Sequence, residues 1–239
     1  MAQRGMRGLA MAEEDFEELS PIKMALLDGI PSDKRRSVLK CMDARMFRFA
    51  QGTMLSDCRK APTDMMYLAK GRVRVDRLGA SGERSILFDC VSDVPLATCD
   101  TPSIFYSDDM RIVALENCVV MDLDFSKENE SCTRCIRYMN RVRKNAMHRL
   151  GLANGMLMQR IDILSRRSIR SKIAAYLVAQ AEYAGSDSFE VGMTRQELAD
   201  FLCVERSALS REIGRMRAEG LVDCVKGRFK VHEDLSTYA

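Results

Sequence analysis

The sequence predicts an α+β protein: an N-terminal antiparallel β-roll of the jelly-roll type, a long helix, and a C-terminal winged helix-turn-helix. Short runs of strand-forming residues, separated by glycine, fill the chain up to residue 125. Apolar residues spaced three and four apart then predict a long helix, and the last part of the chain combines short helical patterns with a hairpin pattern. We place the three parts at residues 20–125, 126–165 and 166–239.

The composition is that of a folded protein without a membrane span. The 239 residues are 46% hydrophobic and 30% charged, and no apolar run approaches the ~20 residues that cross a bilayer. The first 19 residues hold no stretch resembling a signal peptide and are expected to be a frayed lead-in, so we expect a cytoplasmic location. The nine cysteines are an odd number in a long chain, for which we expect reduced thiols.

The predicted roll consists of six short runs of strand-forming residues with glycines in the gaps. Runs at this spacing are typical of an antiparallel sandwich or a barrel-like roll. A helix over residues 31–43 is expected to precede them. The runs cover residues 46–49, 66–69, 73–75, 85–90, 111–115 and 119–123.

The long helix carries an apolar seam. Seven of the eight residues at positions 132, 135, 139, 142, 146, 149, 153 and 156 are apolar, the exception being Arg149. This spacing fits a coiled coil, for which a second copy of the chain is the simplest partner. Gly151 and Gly155 each cost a helix about 1 kcal/mol relative to alanine, so we expect a bend there.

Positive charge is concentrated around this helix. Residues 134–172 contain 11 lysines and arginines and the single acid Asp162, which leaves 26 basic and 33 acidic residues elsewhere. A basic segment in an otherwise acidic protein is the pattern expected where a polyanion binds. A solvated helix face explains the same segment equally well.

The segment 194–225 has the pattern of a helix-turn-helix. Thr194 and Glu197 form a capping box that starts a helix, in which Leu198 and Leu202 face inward. Ala199 is small where a second helix has to cross. After a turn at residues 203–204, the second helix packs through the apolar residues Leu209, Ile213 and Met216.

The second of these helices presents polar residues outward near its N-terminus. They are Arg206, Ser207, Ser210 and Arg211, in the place where a recognition helix reads base edges in the major groove. Arginine pairs with the O6 and N7 of guanine, and serine adapts to bases or phosphates. Gly220 is expected to end this helix, and residues 221–231 to form a β-hairpin wing around Lys226 and Gly227.

These motifs resemble the Crp/Fnr family of bacterial transcription regulators over almost the whole chain. The resemblance lies in Tyr67–Val73 and Gly79–Arg84 of the roll, the long helix, Ser168–Ile173, and Thr194–Ala199 with Arg206–Arg211. It implies a homodimer that binds double-stranded DNA and RNA polymerase. By the family pattern, Ser207 stands where many members carry glutamate, and Cys203 replaces the usual turn glycine.

The resemblance also implies which residues contact DNA. Arg206, Ser207 and Arg211 occupy the base-reading positions, with Ser210 beside them. Thr194 and Arg195 lie at the start of the first helix of the motif. Arg170 and Lys172 are expected to contact phosphates, because a helix that starts beside the duplex meets its backbone.

The residues that bind a cyclic nucleotide in members of this family are missing. Residues 91–114 contain neither glycine nor glutamate, and Asp108, next to Asp109, takes the place of the phosphate-binding arginine. A carboxylate there repels a phosphate. We therefore expect an effector other than cyclic AMP, such as a redox signal, nitric oxide or a small molecule.

Cofactor binding is left open by the sequence. No cysteine precedes Cys41, which removes the usual iron–sulfur ligands, and the two histidines, His148 and His232, leave a haem-based gas sensor as an alternative. Cys132 and Cys135 lie on one helix face, where packing is favoured over a redox or metal role. The remaining cysteines of the roll are expected to fill the core: Cys41, Cys58, Cys90, Cys99 and Cys118.

Two other classes of function fit the sequence less well. An enzyme is not supported, since the chain has no phosphate loop, zinc-ligand set or nucleophile elbow, and no metal site is predicted. A winged helix that binds protein instead of DNA is the remaining alternative.

Overall fold

The computed structural model describes residues 13–19, 22–55, 65–98, 110–125 and 135–239. The chain divides into two compact units, one of residues 1–83 with 87–154 and one of residues 84–86 with 155–239. The predicted fold class is confirmed: antiparallel sheets come first, a long helix follows, and a winged helix-turn-helix ends the chain.

Two antiparallel sheets form the β-roll. Their strand orders are β1-β7-β2-β5 and β4-β3-β6. All six predicted strands are present, and β5 is a seventh that was not predicted; Pro95 interrupts its pattern, and β5 lies at a sheet edge, where proline is tolerated. The strands are β1 (Arg45–Phe49), β2 (Met65–Lys70), β3 (Arg72–Leu78), β4 (Arg84–Val91), β5 (Val94–Thr98), β6 (Met110–Ala114) and β7 (Cys118–Leu123).

Gly71 forms the tight turn between β2 and β3. Its φ is +96°, a conformation that residues with a side chain rarely adopt. A Cβ atom at this position would lie 2.7 Å from the sulfur of Cys118, which leaves no room for a side chain. The predicted strand-turn-strand around Gly71 is thus confirmed, with a steric reason for the glycine.

The N-terminal helices pack on one side of the roll. They are α1 (Glu13–Leu19), a short 3₁₀ helix (Ala25–Leu27) and α2 (Ser32–Cys41). The helix predicted over residues 31–43 is confirmed. The expectation of a frayed lead-in is wrong for residues 13–19, because α1 buries Leu19 in the same core that contains Val38 and Leu39.

The long helix α3 (Ile136–Ser165) is continuous through Gly151 and Gly155. The predicted seam, however, does not face a partner over its first half. Its residues Cys135, Met139, Val142 and Ala146 are buried in the core of the roll. The seam assignment was wrong there because three-and-four spacing describes any apolar stripe on a helix and does not say what covers it.

Asp93 links the roll to α3. One oxygen of its carboxylate accepts hydrogen bonds from the Ala25 amide at 2.8 Å and from the buried Tyr67 hydroxyl at 2.5 Å. Arg149 of α3 donates to the Asp93 carbonyl, and its guanidinium lies 3.4 Å from the other carboxylate oxygen. Asp93 adopts a φ of +73°, which is strained for a residue with a side chain. Burial, and then the bond to Asp93, raises the pKa of Tyr67, so the phenol remains the donor.

The second unit is a winged helix-turn-helix built on one core. The helix α4 begins after Ser168, whose hydroxyl accepts the Ser171 amide proton at 3.0 Å, and ends at Gly185 with a φ of +62°. The sheet order is β8-β10-β9. The elements are α4 (Ile169–Ala184), β8 (Ser188–Glu190), α5 (Arg195–Leu202), α6 (Arg206–Ala218), β9 (Val222–Val225), β10 (Arg228–Val231) and a 3₁₀ helix (Glu233–Tyr238).

None of the helices within the described ranges has the length and apolarity that a membrane span requires.

Candidate nucleic-acid interface

The helix α5 starts at the predicted capping box. The Thr194 hydroxyl accepts the Glu197 amide proton at 3.2 Å, and the Glu197 carboxylate accepts the Thr194 amide proton at 2.8 Å. Both bonds satisfy amides that a helix start leaves without partners. Leu198, Ala199 and Leu202 are fully buried, so α5 meets the core along one face, with a small residue at its centre.

The turn between α5 and α6 is made by Cys203. Its φ and ψ are both 53°, in the left-handed region, and its amide donates to the Ala199 carbonyl. The Val204 amide donates to the same carbonyl at 3.0 Å. This conformation explains why the resemblance leads one to expect glycine here. Cys203 adopts it as an exposed residue, so the substitution leaves the turn intact.

The helix α6 separates an apolar face from a polar one. Leu209, Ile213 and Met216 are buried, as predicted. The four residues expected to read bases are all exposed, and they lie within the first two turns of the helix: Arg206, Ser207, Ser210 and Arg211. Within the described ranges, the structure gives neither arginine an ion-pair partner, so both guanidinium groups are available to a ligand.

The wing carries exposed basic residues that were not among the predicted DNA contacts. Val225 pairs with Arg228 across the turn, and Lys226 and Gly227 have φ values of 47° and 86°. Two positive φ values are the mark of a tight hairpin turn that follows the twist of the strands. Lys226, Arg228 and Lys230 are exposed. The signal that could have identified them is the basic residue on either side of the turn glycine.

Arg195 is held against the wing. Its Nη2 lies 2.8 Å from the sulfur of Cys224, and its guanidinium carbon lies 5.0 Å from the centre of the Phe229 ring. Both contacts position the guanidinium beside the β-hairpin, and a cation over an aromatic face is a favourable arrangement. Arg195 therefore joins the start of α5 to the wing, and Thr194 beside it is exposed.

Arg170 and Lys172 already have protein partners. Arg170 forms ion pairs with Glu212 and Glu219, at 2.6 Å in each case. Its hydrogen bonds hold the pKa of Glu219 below the usual value for a glutamate. The amine of Lys172 lies 3.4 Å from the Leu202 carbonyl oxygen at the end of α5. The expected phosphate contacts of both residues stay predictions.

The structure describes some, but not all, of the cysteines that were expected to pack in the core. Cys118 and Cys135 are buried, and Cys41 and Cys90 are partly buried. Burial raises the pKa of Cys118, and it raises the pKa of Cys90 to about 12, so neither thiol ionises readily. Cys58, Cys99 and Cys132 lie outside the described residues. Within the described ranges, no group of three or more histidine, cysteine or acidic residues could hold a metal ion.

The C-terminal domain matches a known family. Residues 171–233 match the model of the Crp-like helix-turn-helix domain. This range covers α5, the turn, α6 and the wing, so the match and the geometry describe the same segment. No curated protein matches the chain in sequence.

Solved structures share the fold of most of the chain. A CooA mutant from Carboxydothermus hydrogenoformans matches with a TM-score of 0.60 and 20% identity, over 84% of this chain and 88% of that one. The c-di-GMP responsive global regulator CLP from Xanthomonas campestris matches with a TM-score of 0.60 and 14% identity, over 84% and 99%. A CRP/FNR family transcriptional regulator from Thermus thermophilus matches with a TM-score of 0.55 and 16% identity, over 82% and 98%. At these identities the likeness establishes the fold.

The left-handed conformation of Cys203 predicts opposite effects of two substitutions. Cys203→Gly should leave the free energy of unfolding unchanged or raise it by up to about 1 kcal/mol. Relief of the backbone strain in the folded protein offsets the entropy that glycine adds to the unfolded chain. Cys203→Val should lower it by more than about 1 kcal/mol, since β-branched residues tolerate a positive φ poorly. Urea denaturation followed by circular dichroism measures both. Equal stability of the two variants would contradict the strained turn.

Proposed function

We propose that this chain, which has the Crp/Fnr fold and carries a Crp-like helix-turn-helix domain, is a transcription regulator that binds an inverted-repeat DNA site as a homodimer. The observation that carries the proposal is the exposed polar start of α6, held in place by a capped α5 and a tight turn. RNA polymerase belongs to the same proposal as a further partner, and no catalytic role is proposed.

The first two turns of α6 read the bases in this proposal. Arg206 and Arg211 each offer a planar fork of donors that matches the O6 and N7 atoms of guanine. Ser207 and Ser210 are short and adapt to a base or a phosphate. All four side chains are exposed, while the opposite face of α6 is fixed in the core. A helix presented in this way fits the major groove.

The flanking residues contact the DNA backbone. Thr194 and Arg195 lie at the start of α5, and the exposed Lys226 and Arg228 lie on the wing. Contacts with phosphates orient a protein on the duplex without reading its sequence. A chain whose winged helix binds protein instead would show no preference among duplexes. Selection from a pool of randomised duplexes, followed by sequencing of the bound fraction, therefore tests the proposal directly.

Base reading by α6 predicts losses that depend on position. Arg206→Ala and Arg211→Ala should each cost about 1–3 kcal/mol at one base pair of the selected site and relax the preference there. Arg217→Ala is the matched control, because Arg217 is exposed on the last turn of the same helix. Mobility-shift titrations against a set of single-base variants measure the effect. The same uniform loss in all three variants would show that α6 does not read bases.

A different face of α3 from the predicted seam serves the homodimer. Met147, Leu150, Leu157 and Ile161 are exposed apolar residues, with side chains between 37% and 73% accessible. With Asn154 between them they follow a spacing of three, four, three and four, as in a coiled-coil seam. A polar residue in such a seam favours one register. This stripe lies beside the one that is buried in the roll.

The exposed stripe predicts which substitutions dissociate the dimer. Leu157→Glu should weaken self-association by at least about 3 kcal/mol, because each of the two copies loses about 1.5 kcal/mol of apolar burial and gains a buried charge. Leu152→Glu is the control: Leu152 is also an exposed leucine of α3, and five residues of helix separate the two by about 140°. Sedimentation equilibrium at micromolar concentration measures the difference. If the parent protein is monomeric, or if both variants dissociate equally, the exposed stripe is not the dimer interface.

The effector is proposed to be something other than a cyclic mononucleotide. Asp108 and Asp109, on which this prediction was based, lie outside the described residues. Arg111 is the nearest described basic residue, and its Nε and Nη2 donate to the two oxygens of the Asp76 carboxylate, at 2.7 and 2.8 Å. An arginine held in this way is not available to a phosphate. The buried Cys135 favours a packing role over redox sensing.

Titration calorimetry with cyclic AMP and cyclic GMP tests this expectation. No heat of binding should appear, and neither nucleotide should change the affinity for the selected duplex, because a buried phosphate requires a charged partner or several backbone donors. Micromolar affinity for either nucleotide, or tighter DNA binding in its presence, would overturn the expectation.

A further inference from the structure

Arg170, the second residue of α4, holds Glu212 of α6 and Glu219, the residue that directly follows α6, with one guanidinium group. Its Nε donates to Glu212 at 2.6 Å, and its Nη1 and Nη2 donate to the two carboxylate oxygens of Glu219 at 2.6 and 2.8 Å. The side chains of Arg170 and Glu212 are 23% and 14% exposed, so water reaches them only in part. Two-pronged ion pairs of this kind are the strong and directional ones.

The spacing of the glutamates lets this cluster fix the orientation of α6. Residues 212 and 219 are seven apart, so they lie on the same side of the helix, about 10 Å apart along its axis. Contacts at two heights on one side oppose both rotation of α6 about its axis and tilting of α6 against α4. The apolar contacts of Leu209, Ile213 and Met216 are not directional and resist rotation less.

Orientation matters because the proposed base-reading residues lie on the same helix. Arg211 directly precedes Glu212, so any rotation of α6 moves its guanidinium relative to the bases. Recognition requires side chains to be held within about 0.5 Å and 10–20° of their working geometry. A bond that fixes Glu212 therefore also fixes the direction in which Arg211 leaves the helix.

The charges around Arg170 balance. Arg215 contacts the second oxygen of Glu212 at 3.3 Å, so two arginines and two glutamates form one cluster without net charge. The guanidinium carbon of Arg170 also lies 5.3 Å from the centre of the Tyr238 ring. A neutral cluster offers a phosphate little attraction, because that attraction depends on positive charge that the DNA can neutralise.

We propose that Arg170 is a positioning residue for the recognition helix: through Glu212 and Glu219 it sets the orientation in which α6 meets the bases, and it does not bind phosphate itself. This rests on the proposed function of α6. It replaces the phosphate contact that the sequence predicted for Arg170.

Three single variants of the full-length protein separate the two roles: Arg170→Gln, Arg170→Lys and Glu219→Gln. Lysine remains a good phosphate ligand but cannot replace the planar fork that spans two carboxylates. Glu219→Gln removes a negative charge beside Arg170. If Arg170 contacted a DNA phosphate, this variant would bind DNA more strongly. Each variant is titrated over a series of salt concentrations with the duplex selected by the parent protein and with the unselected random pool.

Positioning predicts one result for all three variants. Each should lower the ratio of specific to random binding at least about fivefold, with the slope of log K against log salt unchanged within about 0.5. A phosphate contact predicts different results for the three variants. Arg170→Lys would keep the ratio of specific to random binding, and Glu219→Gln would raise the affinity for DNA. Arg170→Gln would reduce the slope of log K against log salt by about 0.9 per half-site, or about 1.8 per dimer. That set would overturn the proposal.

A purely structural role is tested by Ile173→Val, a buried substitution in α4 that changes no charge. If Ile173→Val and Arg170→Gln lower the melting temperature equally, only Arg170→Gln should lose specificity. An equal loss of specificity would show that stability alone is involved and would refute positioning. A parent protein that selects no duplex would refute the proposed function itself, and the role of Arg170 with it.

Discussion

The helix α3 has to present two apolar stripes, and this requirement governs the arrangement of the first unit. Met139, Val142 and Ala146 are buried in the roll, so they cannot also contact a second chain. The neighbouring stripe from Met147 to Ile161 is exposed, and burial of large apolar side chains is the main source of association energy. In the proposed homodimer, a helix with both stripes would connect the position of the roll to the pairing of two copies.

Arg149 shows how the roll is attached to this helix. Its contact with Asp93 joins α3 to the turn before β5, and the same carboxylate binds Tyr67 of β2 and the backbone at Ala25. A partly buried carboxylate with several donors is costly to disturb. These bonds hold the strained backbone of Asp93 and attach the turn to α3.

The charged residues of the second unit fall into two groups. Arg206 and Arg211 extend from α6 into solvent, while Arg170 and Arg195 bind groups of their own domain. In the linear sequence all four are arginines near a helix start. Their surroundings differ because ion pairs, ring contacts and a hydrogen bond to sulfur, with residues 29 to 68 positions away, engage the second group. The basic segment from residue 134 to 172 thus contains an arginine, Arg170, whose charge is paired within its own domain.

The sequence by itself determined the features that depend on neighbouring residues. The capping box at Thr194, the glycine end of α6, the strand-turn-strand at Gly71 and the hairpin at Lys226 were all predicted, because each is set by bonds or sterics within a few residues. The fold class and the face of α6 that is exposed followed from apolar spacing in the same way.

Only the tertiary structure decided which surface covers each apolar stripe and which partner holds each charge. The seam from Cys135 to Ala146 belongs to the roll, β5 forms at a sheet edge despite its proline, and Arg170 binds both Glu212 and Glu219. Periodicity identifies a buried face but not its partner, and a charge can be satisfied by any acid that folding brings near. Both depend on contacts between residues distant in the chain, which local patterns do not encode.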